Sequence, residues 1–237
     1  MAKKEENTDK PSQRQTIIKL LKEKSSMKQD VFKNTGTVFE MMADICKEAA
    51  NDFKTDLVDS RVSLDYRDIN QHASQLKVAG DLIEFFMHTN VFEFEKSHPM
   101  FKTGYVKQNE FNSYCGVINI YNFLADSFKY NRTNDIGYLI CRVFVNREMR
   151  FFIEAKSPLG LKYNTFSNEA VTREQLKEMI YDLIIFVISF DLYVPPFEAI
   201  KEVTVNEIQE KTSAVSLRTG KRLGYGATAN YDDEINL

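Results

Sequence analysis

Three residues in the middle of the chain have types and spacing that suit phosphoryl chemistry: Asp135, Glu154 and Lys156. Asp135 precedes an apolar run, Gly137 to Val145 (GYLICRVFV), and Glu154 lies near the end of a second run, Met149 to Ala155 (MRFFIEA), with Lys156 just after it. The runs flank Asn146-Arg147-Glu148. Their β-branched and aromatic content predicts a hairpin, and Asn146 tolerates the left-handed backbone that such turns need. With Asn146 and Arg147 at the tip, Lys156 is expected opposite Gly137 and Glu154 opposite Leu139. Asp135 then falls at the same end of the sheet. Strand residues two apart share a face, so Glu154 and Lys156 point the same way. Two carboxylates there suit Mg²⁺, a cation that takes oxygen ligands. An adjacent ammonium would stabilise an attacking hydroxide or developing phosphate charge.

An acidic residue opening one strand and an acid-x-Lys closing its partner resembles the core signature of the PD-(D/E)xK nuclease superfamily. The resemblance implies a Mg²⁺-dependent nuclease with Asp135, Glu154 and Lys156 as catalytic residues, and Asp135 and Glu154 as the metal ligands. Asn134 stands where the fullest pattern has Pro. A charged strand end on a solvated sheet face accounts for the same residues without any catalysis, so whether the chain is an enzyme stays open.

Other chemistries find less support. His72, His88 and His98 form no HxH, HxxxH or HExxH, so zinc-ligand spacing is absent. His88 closes an apolar run, where a structural role is expected. There is no GxSxG and no phosphate-binding glycine loop of the GxxxxGK[ST] or GxGxxG kind. Cys46, Cys115 and Cys141 are odd in number and form no CxxC pair, which predicts buried free thiols in a reducing compartment. Near the end of the chain, Arg218, Lys221 and Arg222 lie among glycines and Tyr225 and are candidates for contact with RNA or an acidic partner. Tyr105, Tyr114, Tyr121, Tyr130 and Tyr138 recur through the strand-rich region, where Tyr suits both a pocket lining and ordinary strand propensity.

The elements that must position these residues follow from periodicity. Phe39, Met42, Cys46, Ala49 and Phe53 mark one face of a helix over 37–56, with Thr37 and Glu40 reading as a capping box. Val62, Leu64 and Tyr66 then alternate with polar residues, as in a half-buried strand. Leu82 to His88 and Val91 to Glu95 are expected to pair across His88-Thr89-Asn90. Gly104 to Lys107 and Ser113 to Tyr121 are further strand candidates, and Phe123 to Tyr130 reads as a helical turn. Thr172 and Gln175 form a second capping box ahead of a wide apolar stripe, Leu176 to Val187, which predicts a helix over 172–190. A shorter helix is expected from Thr204, supported by Glu207.

Helix, five to seven strands without long crossovers, then helix, predicts an α+β fold: an antiparallel sheet flanked by an N-terminal and a C-terminal amphipathic helix. This order is similar to the sensor-type sheets of the GAF, PAS and profilin-like groups. Residues 1–34 are expected to be a mostly disordered polar segment containing a short helical or docking piece. Residues 35–210 form one domain, and 211–237 a mobile tail. A net charge of −3 gives no global basic field for nucleic acid or anionic membranes. Without an apolar leader or a run long enough to span a bilayer, a soluble cytoplasmic protein is expected. The leading expectation is a non-catalytic binding or regulatory protein that presents a ligand or partner surface on its sheet and needs no cofactor. The Mg²⁺ nuclease is the alternative. A nucleic-acid or ribosome-associated factor acting through Lys3 to Lys24 and Arg218 to Arg222 is the third possibility. The partner, a protein or a small molecule, and the oligomeric state are left open.

Overall fold

Apolar residues at helical spacing begin well before the capping motif at Thr37, and the first long helix begins with them. The computed structural model describes residues 12–59, 61–190, 194, 196–206, 208 and 209. In it, α1 (Gln13–Leu20) continues through a π-helical segment (Leu21–Ser25) into α2 (Ser26–Lys54). Met27 and Val31 are buried along with Val38, Met42 and Ile45, so residues 26–34 belong to the folded domain. The Thr37 capping box is a correction: Thr37 lies inside α2, and its hydroxyl donates to the Lys33 carbonyl, 3.2 Å away. This is the back-bonding an internal threonine adopts.

Among the described residues seven strands follow: β1 (Leu64–Asn70), β2 (Ala73–Val78), β3 (Asp81–Met87), β4 (Phe92–Glu93), β5 (Tyr114–Leu124), β6 (Tyr138–Asn146) and β7 (Phe151–Ala155). They form one antiparallel sheet in the order β1-β2-β3-β5-β6-β7, with β4 also on β5. The α+β expectation holds. The expected pairing of 82–88 with 91–95 does not. Met87 lies opposite Ile118 and Phe92 opposite Cys115, so β4 resumes the line of β3 after a break at residues 88–91. Gly104 to Lys107, read as a strand, is helical in α3 (Gly104–Gln108), because the Thr103 side chain caps it by accepting from Val106 N–H.

After two short helices, α4 (Ala125–Lys129) and α5 (Leu159–Lys162), comes α6 (Arg173–Ile188), and one face of the sheet packs on α2 and α6. The α6 capping box forms as expected, with Thr172 and Gln175 each satisfying the other's backbone donor. Leu176, Met179, Ile180, Leu183, Ile184 and Val187 are buried. Each such side chain contributes about 1.5–3 kcal/mol on leaving water, so packing rather than propensity secures this helix. At Gly116 of β5 the helix comes close: a Cβ there would sit 2.1 Å from Thr35 Oγ1 of α2.

The opposite face is only half covered. Segment 92–113 folds over Cys115, Val117, Phe144 and Phe152, forming a second core with Met100 and Val106. Cys46, Cys115 and Cys141 are buried free thiols, and burial holds each thiol well above its usual range. Of the late helix expected at Thr204, a helical hydrogen bond from Ile208 N–H to the Thr204 carbonyl is present, while Glu207 lies outside the described residues. Of the segments expected to be disordered or mobile, 1–34 and 211–237, residues 1–11 and 211–237 lie outside the described residues, and 13–34 are helical. Among the described residues, no helix is long and apolar enough to cross a membrane.

Candidate functional site: a cleft on the open sheet face

The hairpin register decides where the acidic candidates stand. Met149 takes the left-handed backbone (φ 55°), and Asn146 pairs with Arg150. The loop is therefore Arg147-Glu148-Met149. Asn146 instead folds its buried side chain under that loop, with Oδ1 accepting from Glu148 N–H (3.0 Å) and Arg150 N–H (3.1 Å). The expected register is off by three residues, since Glu154 faces Arg142 and not Leu139. Lys156 lies one residue past β7, exposed, and its carbonyl accepts from Gly160 N–H at 3.0 Å.

Asp135 and Glu154 answer to different cations. Asp135 accepts from Ser127 Oγ (2.6 Å) in α4 (Ala125–Lys129) and pairs with Arg132 Nε at 2.9 Å, largely out of water. Glu154 forms an ion pair with Arg142 of the neighbouring strand. Arg142 in turn faces Asn119 of β5. Five residues, about 17 Å at the rise of a strand, separate Asn119 from Leu124, where β5 gives way to α4. The two carboxylates thus occupy different levels of the sheet. Among the described residues, no group of three His, Cys, Asp or Glu side chains is placed to hold a metal ion.

Glu154 does belong to a cleft. Phe86, Asn119, Arg142 and Glu154 form one row across β3, β5, β6 and β7 on the open face. Where this row meets the edge of segment 92–98, a cavity of about 530 Å³ opens. Asn119, Arg142 and Glu154 form part of its floor, and Phe92, Phe94, His88 and His98 line its sides. A second cavity of about 450 Å³ shares His98 and Glu154 with it and extends toward Phe166. The aromatic wall is well supported. Phe94 meets Phe144 edge-on at 4.9 Å between centroids, and Phe144 stacks on Phe152 at 4.8 Å. Arg142 lies over the Phe144 ring at 5.5 Å.

The two histidines are oriented alike. His88 Nδ1 accepts from Asn90 N–H at 3.0 Å, and His98 Nδ1 accepts from Met100 N–H at 3.3 Å. A neutral imidazole with Nδ1 accepting carries its proton on Nε2, so each ring is a donor and not a metal ligand through that nitrogen. The cleft therefore combines an Arg donor fork, a carboxylate, an amide and two ring N–H groups with a half-exposed Phe92. Sequence reasoning singled out Glu154 but missed Asn119, Arg142, Phe92 and Phe94. Their placement depends on strand register, to which periodicity gives no access. The available signal was His88 and His98 bracketing an aromatic-acidic run, Phe92-Glu93-Phe94-Glu95.

The tyrosines do not converge. Tyr105 donates to Glu148 (2.7 Å), Tyr114 donates to Glu93 (2.5 Å), and Tyr138 packs near Phe190. Arg218, Lys221 and Arg222 lie outside the described residues. Comparison of the chain with family models, with curated proteins and with solved structures finds no match in any of the three.

Proposed function

We propose that this chain is a non-catalytic binding or regulatory protein whose ligand sits in the cleft on the open face of its sheet. The observation that carries this reading is the row Asn119, Arg142, Glu154, three polar side chains from adjacent strands at the floor of an aromatic-walled cavity. Arg offers donors in a fixed plane, Glu offers acceptors beside them, and Asn offers one of each. Such a set recognises a flat polar group, an amide or a nitrogen heterocycle, with Phe92 and Phe94 taking its faces. The side chains project from strands and not from a loop, so they are held in place before a ligand arrives, which lowers the ordering cost of binding.

The engagement of Glu154 by Arg142 supports binding over turnover, because a carboxylate already paired with a cation is poorly disposed to hold a metal or accept a proton. The test is a pair of assays on one preparation. Varied DNA and RNA substrates with Mg²⁺ are expected to give no cleavage above that of the Glu154→Ala variant. A library of planar heterocycles and amides is expected to perturb the amide resonances of residues 117–119, 142 and 154. Robust Mg²⁺-dependent cleavage that Glu154→Ala abolishes would replace this reading with the nuclease.

A further inference from the structure

Among the described residues, a helix with exposed apolar side chains packs on nothing and an apolar groove lies open, at opposite ends of one helical rod. All eight residues of α1 are exposed, including Ile17 (57%), Ile18 (40%) and Leu20 (53%), and Leu21 just after it is 59% exposed. The helix is nonetheless well formed, with Ser12 and Gln15 making a complete capping box. The groove, about 320 Å³, lies between the C-terminal ends of α2 and α6 and the first two strands. Phe53, Leu57, Val62, Ile185 and Ile188 line it, each more than a third exposed.

Charge matches the two surfaces. Residues 12–25 hold Arg14, Lys19, Lys22 and Lys24 against Glu23 alone. The groove lies where two helices present their carbonyl ends, which carry partial negative charge. The last turn of α6 contains no basic residue to offset this; Lys54 stands in the last turn of α2, outnumbered by Asp52 and Asp56 around Phe53 and Leu57. The chain cannot join these surfaces within itself. From Leu21 to Phe53 is a helical run whose length at 1.5 Å per residue is about 48 Å.

We infer that the groove receives α1 of a second copy of this chain, and that two antiparallel rods exchange their α1 helices reciprocally to close a dimer. Ile17, Leu20 and Leu21 are the side chains that enter the groove. This inference is independent of the cleft. Pairing α1 with α1 would set like charges together, which disfavours it.

The experiment uses the full chain and two exposed-site variants, Leu21→Glu and Ile185→Glu, with molar mass measured by light scattering across a dilution series. The wild type is expected to be a dimer. Each variant is expected to be monomeric at matched concentration, with a dissociation constant raised at least about 30-fold, the loss of one strong interface side chain. Unchanged circular dichroism would show that both remain folded. Mixing the variants restores one intact contact, an Ile185→Glu helix in a Leu21→Glu groove, so a heterodimer is expected to reappear. A monomeric wild type overturns the inference. So does an Ile185→Glu variant that stays dimeric, which would mean α1 pairs elsewhere, or a mixture that stays monomeric.

Discussion

Replacing Asn146 by Ala removes the side chain on which the β6–β7 hairpin and segment 92–113 both depend. Asn146 is wholly buried. Its Oδ1 accepts from two backbone N–H groups of the loop, and its Nδ2 donates to Tyr105 Oη (2.8 Å) and to the Asn112 carbonyl (3.4 Å). Tyr105 keeps a partner in Glu148, and the Glu148 N–H can reach water, so not every group is orphaned. The half-buried Arg150 N–H and the Asn112 carbonyl lose a bond with poor access to solvent. Two net hydrogen bonds at about 1 kcal/mol each, plus about 1 kcal/mol for an unsatisfied group and a small void, give about 3 kcal/mol. For a domain of this size that corresponds to a melting temperature lower by about 6–12 °C. The chain has no Trp, so urea unfolding is best followed by far-ultraviolet circular dichroism. The expected result is a lower midpoint with an unchanged slope, which marks a change in stability and not in compactness. A loss below about 0.5 kcal/mol, the range of an ordinary surface substitution, would refute the view of Asn146 as the hub.

Gly116→Ala is expected to cost about 1–3 kcal/mol, the range for overpacking, because the new methyl meets the Thr35 side chain at 2.1–2.9 Å; the double variant with Thr35→Ala should recover part of that loss in the same melts. Glu84 has its carboxyl raised above the usual range by burial, against a lowering by its hydrogen bond from Gln75. A raised carboxyl favours the folded state below the unfolded value and loses that contribution as pH rises through the folded one. Glu84→Gln is therefore expected to be more stable relative to wild type at neutral pH than in acid, and an identical difference at both pH values would count against burial as the cause. Thr172→Ala removes the side-chain acceptor for Gln175 N–H and should destabilise by about 1 kcal/mol, whereas Thr37→Ala, which caps nothing, should cost less.

The contrast between these two threonines shows what the sequence made legible. Both begin a Thr-x-x-Glu/Gln pattern ahead of an apolar stripe, yet only Thr172 follows a chain that is not already helical. The stripe upstream of Thr37 is interrupted by Lys24, Lys28 and Gly36, and its burial depends on Met27 and Val31 packing on Tyr114 at the start of β5. Strands β6 and β7 were legible because both arms are dense in branched and aromatic residues. Strand β2 was not, since only Leu76 and Val78 mark its inward face and the third inward position, Ser74, is polar. Gly104 to Lys107 looked like a strand through Tyr105 and Val106, but a local cap outweighed that propensity. The cleft was the least legible feature. Glu154 was visible as a residue, but its partner was set by a loop in which Met149, a poor candidate on chemistry alone, adopts the left-handed backbone.

The central claim, that the cleft binds a flat polar ligand through its three-strand polar row, is tested most directly by resonance-monitored titration with a hit from the planar heterocycle and amide library. Saturable shifts confined to residues 88–98, 117–119, 142–144 and 152–154 are expected in the wild type, with affinity at least about tenfold weaker in Asn119→Ala and Arg142→Ala, the scale of one lost hydrogen bond to a charged or buried group. Saturable binding elsewhere on the sheet, or equal affinity in all three proteins, would contradict it.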